Sequence, residues 1–96
     1  MADAKEALKG TAELINEVGL HARPSVKFTQ LAKSFQSTVE FALHADGPWI
    51  DAKSPVKVMR ARAPKGTVLY FAVRGPDADE ALAAMQALIA AGFGEA

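Results

Sequence analysis

The chain has 96 residues, 50% hydrophobic and 23% charged, and is expected to fold as a single domain, residues 1–96, around one core. Its 11 Lys and Arg are balanced by 11 Asp and Glu, and a formal net charge of zero argues against nucleic acid or an anionic membrane as partner. With no cysteine and only two histidines, His21 and His44, it cannot build a disulfide framework or use a cysteine nucleophile, and neither a metal nor a cofactor is expected.

Taken in chain order, Met1 to Gly10 carries Asp3, Lys5, Glu6 and Lys9 among alanines and lacks the apolar run of a signal peptide. No stretch approaches the ~18–20 apolar residues of a membrane helix. A cytoplasmic protein is expected. From Ala7 to Ile15, Leu8, Ala12 and Leu14 alternate with Lys9, Thr11 and Glu13, which is strand period. A turn follows through Asn16, Glu17 and Gly19. Between Ala22 and Phe35, the spacing of Phe28, Leu31 and Phe35 predicts one face of a helix. Val39, Phe41 and Leu43 alternate again as a strand. Asp46-Gly47 is a hairpin signal, with Pro48 to Asp51 as the returning strand.

Ser54 followed by Pro55 reads as an N-cap and first helical residue, with Val56, Met59 and Ala63 sharing a face of a short helix. Thr67 to Val73, TVLYFAV, is apolar or β-branched nearly throughout and predicts a central strand. Asp77 and Glu80 resemble a capping box for a last helix with an Ala78, Leu82, Met85, Leu88/Ile89 stripe, stopped at Gly92. The order β-α-β-β-α-β-α predicts an α+β fold of two layers, a mixed or antiparallel sheet with helices on one face.

The chemistry concentrates in Asn16 to Pro24, NEVGLHARP. His21 falls where strand gives way to helix. The first backbone N–H groups of a helix have no intrahelical partners, and the dipole adds roughly half a positive charge there. With His21 as N-cap, the amides of Ala22 and Arg23 are free to meet an anion on the imidazole, while Pro24 has none to offer. The Arg23 guanidinium adds charge-assisted donors. The same positive groups favour the neutral, nucleophilic ring. A histidine in this setting suits phosphoryl acceptance without a metal or base of its own.

GLHARP preceded by Asn16, with AKSFQSTVEF, DAKSPVKVMRARAPKGTV and GPDADEALAAMQAL at matching distances, resembles the HPr family, the histidine phosphocarriers of the phosphoenolpyruvate-dependent phosphotransferase system. The resemblance spans about Ala7 to Ile89. It implies an open-faced β-sandwich, a four-stranded antiparallel sheet with three helices on one face. It implies that His21 is phosphorylated on Nδ1, that Arg23 is the active-site arginine, and that Ser54 is a regulatory serine for HPr kinase/phosphorylase. Enzyme I would be the donor and an EIIA protein or domain the acceptor, in a sugar-uptake or nitrogen-related branch. Such a protein is a phosphoryl-transfer carrier rather than a stand-alone enzyme, and a monomer is expected.

Pro55 stands where the family usually has a larger aliphatic residue, and Arg60 and Arg62 where many members have smaller or uncharged residues and a glycine. Lys53, Lys57, Arg60, Arg62 and Lys65 form a local basic excess. It reads either as a solvated helix face or, with the apolar Val56 and Met59, as a docking patch in which Val56, Lys57, Met59 and Arg60 meet acidic partners. A second hypothesis is a regulatory interaction module controlled through Ser54. His44 reads as a surface turn residue, and Trp49 and Tyr70 as packing residues.

Overall fold

The segment TVLYFAV does become the centre of the sheet. The computed structural model describes residues 7–94; the reading of Met1 to Glu6 lies outside them. The elements run β1 (Leu8–Glu13), α1 (Ala22–Lys33), β2 (Thr38–Ala42), β3 (Ile50–Asp51), α2 (Pro55–Ala61), β4 (Val68–Arg74) and α3 (Ala78–Ala90), then a 3-10 turn at Gly92–Gly94. The strand order is β1-β4-β2-β3, with every pairing antiparallel. This is the open-faced sandwich that the element order and the family resemblance led us to expect.

Strand alternation assigns the two faces. Leu69, Phe71 and Val73 of β4 are buried, as are Val39 and Phe41 of β2, which pair with Val73 and Phe71. Phe28 of α1 settles on this surface. Its ring meets Phe41 edge-on at 5.1 Å between centroids and stacks on Phe71 at 6.1 Å. Met85, Ile89 and Ala81 of α3, together with Leu14, Leu20 and Val58, complete the core. The other face of the sheet carries half-buried or exposed residues such as Thr11, Glu40 and Tyr70.

Several local expectations shift. α1 stops at Lys33 with Ser34 as its C-cap, so Phe35 lies beyond the helix. Ala81 of α3 is buried, whereas Leu82 and Leu88 flank the buried stripe, half-exposed. Asp46-Gly47 does not form a two-residue hairpin; residues 43–49 link β2 to a β3 of only two residues. In α2 the inward residue is Val58, while Val56 and Met59 face out and Ala63 lies past the end of the helix.

Asp77 sits at the N-cap of α3 but makes no capping bond. Its carboxylate accepts instead from the Ser37 hydroxyl and from the N–H groups of Gln36 (3.0 Å) and Ser37 (2.9 Å), 41 and 40 residues away in sequence. The Asp77 N–H donates back to Ser37 Oγ at 3.1 Å. This reciprocal clamp ties the entry of β2 to the turn before α3. Phe93, beyond the Gly92 stop, is buried, and its carbonyl accepts from Lys27 Nζ at 2.7 Å.

Candidate functional site

The site is built from the backbone between β1 and α1. Leu14 is buried and exchanges backbone hydrogen bonds with the segment before β4: its N–H donates to Thr67 O at 2.9 Å, and its carbonyl accepts from Gly66 at 2.7 Å. The chain then turns. Gly19 N–H donates to Asn16 O, and the buried Asn16 Nδ2 donates to Gly19 O at 3.0 Å. Gly19 has φ +65, and a Cβ there would lie 2.3 Å from the Ala63 carbonyl oxygen. Only glycine satisfies both the conformation and the approach. The next N–H, Leu20's, donates to that same carbonyl at 2.8 Å, and the Leu20 side chain is fully buried. The loop is therefore held against the residues that follow α2.

His21 comes directly after this anchored residue. It is the N-cap of α1, extended at φ −145 and ψ 152, and its side chain makes no capping hydrogen bond. The imidazole is exposed. Ala22, the first helical residue, has φ +44, a left-handed value that a residue with a Cβ adopts at a cost of ~1–2 kcal/mol. Ala22 and Arg23 are the first two helical residues, so their N–H groups have no carbonyl one turn back to bond. Pro24 follows, buried, within the first turn, where its missing N–H breaks no helical bond.

His21 borders an open cleft of ≈ 540 Å³ whose other walls come from the loop (Val18, Leu20), from α2 (Val56, Met59, Arg60) and from the segment after it (Arg62, Ala63, Pro64). Val18, Val56 and Met59 are 50%, 63% and 42% exposed, an unusual concentration of bare apolar side chains. Among the described residues, two guanidinium groups and no carboxylate line the cleft. The lining around the imidazole thus combines apolar side chains with two positive ones.

Of the residues singled out from the sequence, His21, Val56, Met59, Arg60 and Arg62 meet in this cleft. Arg23 is exposed in the first turn of α1 and does not line it. Lys57 borders a neighbouring recess with Trp49, Ile50, Asp51 and Arg60. Ser54 caps the N-terminus of α2, its Oγ accepting from Lys57 N–H at 3.3 Å, with Pro55 in the first turn. Two of the basic residues have internal tasks: Lys53 Nζ donates to Phe35 O at 2.8 Å, and Lys65 pairs with Glu17 at 3.1 Å. Val18, Leu20, Ala63 and Pro64 were not anticipated as cleft residues. Leu20 stands within GLHARP and Ala63 on the sequence-predicted face of Val56 and Met59, whereas Val18 and Pro64 are marked only by nearness to these segments.

The family model described as "PTS HPr component phosphorylation site" matches residues 3–91 of the chain. The chain belongs to the HPr family. Its function class is therefore phosphocarrier of the phosphotransferase system. It is 44% identical over 88 residues to the phosphocarrier protein HPr of Cupriavidus necator, covering 92% of this chain and 97% of that one. It is 34% identical over 88 residues to the phosphocarrier protein NPr of Escherichia coli, with the same coverage. Among solved structures, an HPr from Thermoanaerobacter tengcongensis superposes with a TM-score of 0.85 at 35% identity, covering 93% of this chain and 98% of that one. The HPr fold and the element order described above agree. Among the described residues of this HPr-family chain, no helix is long and apolar enough to cross a membrane.

Proposed function

We propose that His21 accepts a phosphoryl group from phosphorylated enzyme I and passes it to an EIIA protein or domain in the cytoplasm. One observation carries this reading: an exposed imidazole without an internal capping bond stands at the head of α1, on the rim of an apolar and positive cleft. A neutral ring nitrogen, Nδ1 by family resemblance, attacks phosphorus in line. The new N–P bond forms as the bond to the donor histidine breaks, and the donor imidazole leaves with its electron pair. The Ala22 and Arg23 amides and the Arg23 guanidinium balance the charge on the phosphoryl oxygens. Transfer to EIIA is the same step in reverse roles.

Val56 and Met59, with Val18 beside them, supply apolar contact for a partner, while Lys57 and Arg60 supply charge that steers acidic surfaces. A carrier must release each partner, and a small apolar patch with a charged edge suits brief encounters. Val56 also favours a second reading, regulation through Ser54. Ser54 lies two residues before this docking residue, so a phosphate there would place negative charge at the margin of the docking surface.

The test of the carrier reading is incubation with enzyme I, magnesium and phosphoenolpyruvate. Acid-labile phosphate is expected on the wild type and none on His21→Ala. Label that survives the substitution would overturn the assignment. Incubation with HPr kinase and ATP tests the second reading, which an unmodified Ser54 would remove.

A further inference from the structure

Arg62 occupies a position that physical chemistry would give to another residue. It is the C-cap of α2, with φ 52 and ψ 42, its N–H donating to Met59 O at 3.2 Å. That left-handed geometry is the usual place for glycine, and a side chain there costs about 1–2 kcal/mol. The position carries instead a long, permanently charged side chain, and that side chain forms part of the wall of the cleft that holds His21.

The placement is set by backbone. Ala63, the next residue, accepts from Leu20, the residue immediately before His21, at 2.8 Å. Gly19 lets the two strands of chain come this close. Arg62 and His21 therefore flank one hydrogen bond, one on each side of the contact. The Arg62 guanidinium has no carboxylate partner among the described residues, and no acidic side chain lines the cleft.

A phosphoryl group on His21 presents three oxygens. The start of α1 offers two amides, from Ala22 and Arg23, because Pro24 removes the third. The Arg23 guanidinium adds donors from the same turn, and because each phosphate oxygen accepts more than one hydrogen bond, a donor from outside α1 has room to join them. Arg60 borders the same cleft but also faces the neighbouring recess, with Asp51 among its walls. Arg62 lines the histidine cleft and is not among the walls of that recess.

Building on the reading of His21 as the phosphorylated residue, we propose that Arg62 is a second phosphoryl-binding guanidinium, gripping the group on His21 from the α2 side. Its planar fork matches phosphate oxygens, as an ammonium does less well. By neutralising charge that is larger in the phosphohistidine than in the loose transition state of its breakdown, it lengthens the life of the loaded carrier.

The test loads the histidine chemically, with phosphoramidate, so that no partner protein is needed. A His44→Gln background removes the second histidine. The loaded protein is compared with its Arg62→Gly, Arg62→Gln and Arg62→Lys forms by the ³¹P resonance and by the first-order loss of phosphate at neutral pH. Arg62→Gly and Arg62→Gln are expected to move the resonance and to lose phosphate about two- to fivefold faster, the range of an exposed charge pair. Arg62→Lys should recover part of that difference, and 1 M salt should shrink it. Arg62→Gly relieves the left-handed strain, so its thermal stability should match or exceed that of the parent, which separates the effect from damage to the fold. An unchanged resonance and decay rate in both neutral variants would overturn the role of Arg62. Failure of enzyme I and phosphoenolpyruvate to label His21, with the Arg62 effect intact on chemically loaded protein, would overturn the carrier reading and leave the Arg62 contact standing.

Discussion

Asp77 shows how one side chain can be recruited away from the task its sequence position suggests. Three donors converge on its carboxylate, the Ser37 hydroxyl foremost, then the N–H groups of Gln36 and Ser37. Hydrogen bonds to the charged form hold its carboxyl below the ordinary carboxylate range, chiefly through the Ser37 hydroxyl. The sign of the consequence follows by linkage. A lowered value in the folded state gives stability that is fully present above the unfolded value of ~3.9 and is lost as pH falls through the folded value. Asp77→Asn is therefore expected to lower stability at pH 7 and to flatten the loss of stability below about pH 4. Urea unfolding across pH 2–7 reads both effects. Parallel acid limbs in the variant and the wild type would show that the clamp carries no linked proton.

At the scale of elements, α2 rests on very little. It has seven residues, and only Val58 among them is buried. Its start is fixed by the Ser54 Oγ bond to Lys57 N–H and by Pro55 in the first turn. Ser54→Ala is expected to cost ~1 kcal/mol, and Ser54→Gly only a few tenths, in thermal or urea unfolding. Equal losses in the two variants would assign the effect to something other than capping. This helix also marks the limit of what was legible in the sequence. β4, α1 and the order of elements could be read because long apolar periodicities leave few alternatives. The Ser54-Pro55 start could be read because its signal is local. The buried face of α2 could not, since a seven-residue helix with a single inward position has no periodicity to detect, and Val56 and Met59 look as apolar as Val58. The N-cap position of Asp77 could be read but its hydrogen bonds could not, since its partners lie 40 and 41 residues away and no local rule points to them. His21 at the head of α1 was legible, but the cleft was not, because long-range bonds such as Leu20–Ala63 and Gly66–Leu14 bring the segment of Arg62, Ala63 and Pro64 to it.

For the whole molecule, the question is how firmly one core holds a site at its edge. The zero net charge is a sum over unlike surroundings: among the described residues the cleft beside His21 is lined by Arg60 and Arg62 and by no acid, while Lys65 is balanced by Glu17. Within the core, the Phe28 ring meets both Phe41 and Phe71 and so joins α1 to β2 and β4. The same helix carries His21 at its head. Phe28→Ala removes a fully buried ring and is expected to cost ~3–5 kcal/mol. That is a large part of the ~5–15 kcal/mol available to a domain of this size. With one core, unfolding should be cooperative, so the urea midpoint moves while the form of the transition is kept. The position of His21 depends on the Gly19 turn and the Leu20–Ala63 bond, which the substitution does not touch. Phosphoryl acceptance by Phe28→Ala in dilute buffer should therefore stay near that of the wild type. As urea is raised, it should fall in step with the helical signal. If acceptance is lost at a urea concentration where helix content is intact, then the first turn of α1 is seated by the aromatic cluster beneath it, and the loop contacts alone are not what positions the histidine.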